Sequence, residues 1–258
     1  MNHSLRFIRS MKYKKYDLAV TEADFRQQAQ LRTQLEAWKV AFDRLLNANN
    51  PCVTAKDIHA TNVLDIHRIV CLSWLVNCTS RAESASDAFI PEYETAVSLA
   101  EMMQDTAGTR EQRSTFPSTF LFDMEVVSPL YLIGIKCRHP QIRRRAIAHL
   151  RSSVRREGLW DSNMAAAIAE RTMLIEEAGL STLDGTELPE ESARVHNAYI
   201  FSQPGLNPNR HKVTFHTKPN GLEGYWKIWQ EEIVLESSVL NHGIVALHTP
   251  GYTTGAVA

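Results

Sequence analysis

The chain has 258 residues, with 28 Lys+Arg against 29 Asp+Glu for a formal net charge of −1; 44% of it is hydrophobic and 22% charged. That is the composition of an ordinary globular protein, and it excludes the basic excess of a dedicated nucleic-acid-binding domain. No apolar run approaches the ~20 residues that cross a bilayer.

The start, MNHSLRFIRSMKYKKYD, has no apolar secretory core. An intracellular protein is expected, with the sequons at Asn2 and Asn77 unglycosylated. Residues 1–20 carry Arg6, Arg9, Lys12, Lys14 and Lys15 and read as a frayed basic tail. The first long helix is expected over 21–47. Thr21 suits an N-cap, Glu22 and Asp24 suit its first turn, and Phe25, Leu31, Leu35, Trp38, Phe42, Leu45 and Leu46 recur at helical spacing. After the turn chemistry of NANNPCVT (47–54), a largely buried helix is expected from Thr54 to about Thr79. A third should run from near Pro91 to about Gln104.

Past a polar loop at 105–115 lies an almost unbroken apolar element over 117–137. Pro129 inside it predicts a kink or a junction of two helices. The most charged stretch follows, KCRHPQIRRRAIAHLRSSVRREGLWDS (136–162). Pro140 suits a helix start and Gly158 a helix stop. At about 100° per residue, Ile142, Ala146, Ile147, Leu150 and Val154 share one side. Arg144, Arg145, Arg151, Arg155 and Arg156 fall opposite, and only Arg143 intrudes on the apolar side, which makes it the arginine expected to point inward. Asp161 caps a further helix ending at Gly179, with Met164, Ile168, Thr172 and Ile175 on one face. After a loop at 180–192, ARVHNAYIF (193–201), HKVTFHTK (211–218) and GYWKIWQEEIVL (224–235) are rich in β-branched and aromatic residues, so short strands are expected. The Gly/Thr-rich tail over 241–258 reads as disordered.

Chemical motifs are sparse. G-x-S-x-G, G-x-x-x-x-G-K, G-x-G-x-x-G and H-E-x-x-H are all missing from the sequence. Cys52, Cys71, Cys78 and Cys137 have no Cys-x2-Cys spacing and no matching histidines, so they read as free thiols. His211 and His216, five apart on a strand, face opposite ways. His59 and His67, eight apart on a helix beside Asp65, read as ordinary helix residues rather than metal ligands. Glu176–Glu177 and Glu231–Glu232 read as solvated charges. The arginines could grip phosphate, but base readout needs Asn, Gln or Ser at a helix start, and the stretch offers almost none. A charged face on a structural helix is the expectation.

SPLYLIGIKCRHPQIRRRAIAHLRSSVRREGLWDSNMAAAIAERTMLIEE (128–177) resembles the C-terminal regulatory region of fungal binuclear zinc-cluster (six-cysteine) transcription factors. The matching elements are Pro129-Leu130, Cys137-Arg138, Arg144 to Ile147, and Arg155 to Asp161. Helices 31–46 and 87–103 are similar to the family's earlier helices, and the resemblance spans about 20–235. It implies a mainly α fold: a helical regulatory region over 21–180 with a small β-rich appendage over 193–235 packed on it. It also implies a structural junction of Pro129, Cys137, Arg138, Arg144, Arg145, Arg155, Arg156, Glu157, Gly158, Trp160 and Asp161, with Trp160 buried. Further implications are a nuclear regulator that dimerises or contacts other transcription factors, in the setting of a secondary-metabolite gene cluster. No catalytic, cofactor or metal residues are expected. The family's DNA-reading module begins Cys-x2-Cys-x6-Cys, a spacing that does not occur in these residues, so specific DNA binding by this chain alone is not expected. The alternative is a helical enzyme or small-molecule-binding protein with a pocket under 117–137.

Overall fold

A computed structural model of the protein describes residues 2–17, 19–48, 54–108, 119–121, 125–152, 154–201 and 209–235. These residues are mainly helical, with short antiparallel strands toward the C-terminus. Cys52 and the tail 241–258 lie outside the described residues.

Helix α1 spans Asn2–Asp17, so the segment expected as a tail is helical. The cause is Phe7, Ile8 and Met11, which share a helical face between the basic residues and are buried with Leu31, Leu35, Cys71, Leu75 and Cys78. Helix α2 is Glu22–Ala48. Its start is closed reciprocally: the Asp24 carboxylate accepts from the Thr21 amide at 2.7 Å, and the Thr21 hydroxyl accepts from the Asp24 amide at 3.4 Å. Only part of the expected α2 stripe is buried. Leu31 and Leu35 go under α1 and the next helix, while Phe25, Trp38 and Leu45 remain exposed.

Helix α3 is Ala55–Asn77, with a full capping box between Thr54 and Asp57. Its first two turns are solvent-exposed and its second half is buried. A 3-10 turn at Glu83–Phe89 leads into α4, Ile90–Gly108.

The 117–137 segment is not one element. It holds a short strand β1, Thr119–Leu121, and then helix α5, Val127–Lys136. Pro129 lies in the first turn of α5, where no intrahelical N–H is required, so it produces neither kink nor junction. Helix α6 is Pro140–Ser152 and α7 is Ser162–Glu177. Between them stands a hairpin, β2 (Arg155–Glu157) and β3 (Trp160–Asp161), with β1 parallel to β2 on its other side. Gly158 therefore does not stop a helix. At φ 59° it turns the hairpin, a conformation that glycine adopts freely. Arg155 and Arg156 are strand residues, three and four places past the end of α6.

A main core joins α3 through α7 around Ile66, Val97, Leu130, Ile133, Leu150 and Ile168. Helices α5 and α7 cross closely at Gly134, where a Cβ would stand 2.8 Å from the Ala169 Cβ. The C-terminal sheet, β4 (Val195–Phe201), β5 (Arg210–Thr217) and β6 (Lys227–Val234), is antiparallel in the order β4-β5-β6. Its Val195, Val213 and Phe215 complete the same core as the helices.

Candidate functional site

The RREGLWD segment is built residue by residue into the junction of α5, the hairpin and α7. Glu157 is fully buried. Its carboxylate accepts the backbone N–H groups of Glu125 (2.9 Å), Val126 (3.3 Å) and Val127 (3.0 Å), donors that the start of α5 would otherwise leave unmatched. Arg155 pairs with that carboxylate at 2.9 Å. Trp160, opposite Glu157 in the hairpin, sets its indole 5.3 Å from the Tyr131 ring. It is half-buried, not buried as expected, because the hairpin leaves one side of it open to solvent. Asp161 caps α7 by accepting the Met164 amide at 3.0 Å. Arg156 is exposed, and its Nε donates to the Gly158 carbonyl at 3.3 Å.

Glu176 forms a second buried centre. It accepts from Arg138 Nη2 at 2.9 Å, from Arg143 Nη2, and from the Val195 amide at 2.8 Å. Arg138 and Arg143 are both wholly buried, and Arg143 Nε donates to the Cys137 carbonyl at 2.7 Å. Burial pushes the Glu176 carboxyl up, but the two guanidiniums outweigh it and hold the group below the usual range. The pair Glu176–Glu177 is thus not solvated as expected. Arginines on α6 and before it supply enough charge to carry both carboxylates inside, Glu177 taking Arg144 at 3.2 Å.

Glu83 is the third centre. Lys136 donates to it, with Lys15 at 3.4 Å, Arg138 at 3.5 Å and the Tyr16 hydroxyl at 3.4 Å. Burial opposes its charge, yet Lys136, Lys15 and Arg138 hold the carboxyl far below its ordinary value. The same Tyr16 hydroxyl lies 2.9 Å from His196 Nδ1, and burial pushes His196 down to about 4. Together these contacts tie α1, the 3-10 turn, α5, α7 and β4 to one another.

The remaining arginines of α6 are also matched. Arg145 binds Glu94, Glu101 and Ser98 of α4, and Arg151 binds Glu170 of α7. Arg194 grips Asp87 through two bonds of 2.8 and 2.7 Å, and Arg171 grips Glu231 of β6. A guanidinium held by carboxylates has fewer free donors and less unbalanced charge to offer a phosphate.

His59 and His67 both approach Glu125. His59 lies 3.7 Å from its carboxylate, and His67 Nε2 donates to its backbone carbonyl at 2.6 Å. Asp65 instead pairs with Arg68 at 2.9 Å. His216 packs against the Tyr199 and Trp226 rings, while His211 faces the other side of the sheet opposite Ile233. Among the described residues no group of three or more His, Cys, Asp or Glu is placed to hold a metal ion. No described helix is long and apolar enough to cross a membrane.

A groove of about 510 Å³ opens between α1 and α2, lined by His3, Arg6, Phe7, Ser10, Gln27, Gln30, Leu31 and Gln34. It is distant in sequence from the 117–137 element, of which 117–118 and 122–124 lie outside the described residues.

Compared with protein-family models, with curated proteins and with solved structures, the chain matches none.

The residues of the expected junction fall at separate places: Arg155, Glu157, Trp160 and Asp161 at the hairpin, and Arg138 and Arg144 at Glu176 and Glu177, while Arg145 reaches α4 and Arg156 faces solvent. Sequence reasoning missed Glu83, Lys136, Tyr16, His196 and Arg194. Their partners come from segments far apart in the chain, so no local period marks them.

Proposed function

We propose that the chain is the helical effector region of a transcription regulator of the fungal zinc-cluster type. It acts in the nucleus through contacts with a second copy or with another transcription factor, and it reads no DNA sequence by itself. The secondary-metabolite setting belongs to the same reading.

The observation that carries it is the internal matching of the arginine-rich segment. Arg143, Arg144, Arg145, Arg151 and Arg155 each face a carboxylate of the same chain. The stretch that would otherwise argue for phosphate contact is therefore engaged in joining helices, which is the role the family resemblance implies for these residues. A further feature supports protein contact: the apolar side chains Trp38 and Leu45 of α2 and Ile58 of α3 are exposed.

The test has two arms. The chain fused to an unrelated DNA-binding module should raise or lower a reporter under that module's operator. Alone, at about 150 mM salt, it should not distinguish a duplex carrying paired CGG triplets from scrambled duplex. An unmoved reporter, or strong preference of the isolated chain for one duplex, would overturn the reading.

A further inference from the structure

The α1–α2 groove has the chemistry of a ligand site. Its two walls use one spacing: His3, Arg6, Phe7 and Ser10 on α1, and Gln27, Gln30, Leu31 and Gln34 on α2. Both sets stand at i, i+3, i+4 and i+7, so each is a single helical face about 10 Å long. Phe7 and Leu31 are buried and form the floor. The walls carry a guanidinium, an imidazole, a hydroxyl and three amides, with no carboxylate.

Arg6 differs from Arg143, Arg144, Arg145 and Arg151 of α6. Those are matched by carboxylates, whereas Arg6 is exposed and forms no ion pair among the described residues. Its neighbour along α1, Arg9, borders an adjoining hollow with Asn2, Leu5 and Arg6, again without an acidic residue. The groove has a volume of about 510 Å³ and is open to solvent along its rim, where Arg6, Gln30 and Gln34 are exposed.

We propose that this groove binds a small carboxylic acid whose body carries amide or hydroxyl groups. The carboxylate sits on the Arg6 guanidinium, whose fork of donors matches its two oxygens. The body lies along Gln27, Gln30 and Gln34, each of which offers both a donor and an acceptor. The inference does not rest on the regulator reading.

The test titrates the isotope-labelled full chain with N-benzoylglycine, with its neutral counterpart N-benzoylglycinamide, and with inorganic phosphate, following backbone and glutamine side-chain amide resonances. N-benzoylglycine should shift Arg6, Gln30 and Gln34 saturably, and the neutral amide should not. Affinity should fall about tenfold in Arg6→Gln, the loss of one charge-assisted contact pair. Gln30→Leu should weaken binding similarly, while Arg9→Gln, which removes the same charge just outside the groove, should stay within about twofold. Because Arg6, Arg9 and Gln30 are exposed, the folded spectrum should survive in each variant. No saturable shift at ~10 mM, well above the range of specific binding, would overturn the proposal. So would equal affinity in wild type and Arg6→Gln. Phosphate binding as tightly as N-benzoylglycine would show that the groove reads charge alone, and would overturn it too.

Discussion

Glu83, Glu157 and Glu176 are all buried, each held by its own set of partners, with Arg138 shared between Glu83 and Glu176. Glu157 relies on three backbone amides and Arg155, Glu176 on two guanidiniums and an amide, and Glu83 on two lysines and an arginine. Replacing Glu157 by Gln keeps the shape but turns an amide group toward backbone donors, which should cost about 2–3 kcal/mol. Urea denaturation measures this, and a loss under about 0.5 kcal/mol would contradict the capping role. Trp160→Ala should cost about 2 kcal/mol, less than the ~3–5 of a fully buried tryptophan, because only part of the indole is covered against Tyr131. At Gly185, φ is 95° and a Cβ would come 2.2 Å from His139 Nε2, so Gly185→Ala should also destabilise. Asp161 and Thr21 were legible as caps because capping is local. Glu83 was not, since Lys15, Lys136 and Arg138 reach it only after the chain has folded.

At the scale of elements, α1 covers the thiols of α3. Burial pushes Cys78 up to about 12 and also raises Cys71. An unpaired charge at Ile8, as in Ile8→Asp, should loosen α1 from Leu31, Leu35 and Leu75. Alkylation of Cys71 and Cys78, followed by peptide mapping, should then quicken by about tenfold or more, while the junction thiol Cys137 stays slow; unchanged rates at all three would show that α1 does not shield them. Helices α2 to α4, α6 and α7 and the C-terminal strands were legible from period and caps. The 117–137 segment was not, because a continuous apolar run does not separate strand from helix. Gly158 misled for a related reason: a glycine at positive φ serves a helix end and a hairpin turn alike. The buried face of α1 was hidden by counting its charges rather than the spacing of Phe7, Ile8 and Met11. Phe25, Trp38 and Leu45 of the α2 stripe are exposed because a stripe predicts an apolar face and not what covers it.

For the whole molecule, pH should act through two buried histidines. Burial brings His149 and His196 down to about 4, against ~6.5 in the unfolded chain. Between those values the unfolded chain binds more protons than the folded one, so stability falls as pH falls, by up to about 1.4 kcal/mol per pH unit for each histidine. His149 faces Arg155 and Glu101, and His196 faces Glu83, Lys136, Glu191 and Lys15; the acids in these sets soften the loss without reversing it. Below ~4.3 the depressed carboxyls of Glu83 and Glu176 add a second loss of the same sign. The urea midpoint should drop from pH 7 to pH 5, and a flat midpoint would contradict the burial of both imidazoles.

The charge between Lys136 and Asp161, together with its acidic partners, holds the helices to one another. A double-mutant cycle on Arg143 and Glu176 tests it most directly, with Arg143→Met, Glu176→Leu and the pair compared by urea denaturation. Each single change leaves buried charge or buried donors unmatched and should cost about 3–5 kcal/mol. The double variant should cost clearly less than the two losses combined. Single losses below about 0.5 kcal/mol, typical of solvated surface positions, or losses that simply add, would contradict the claim.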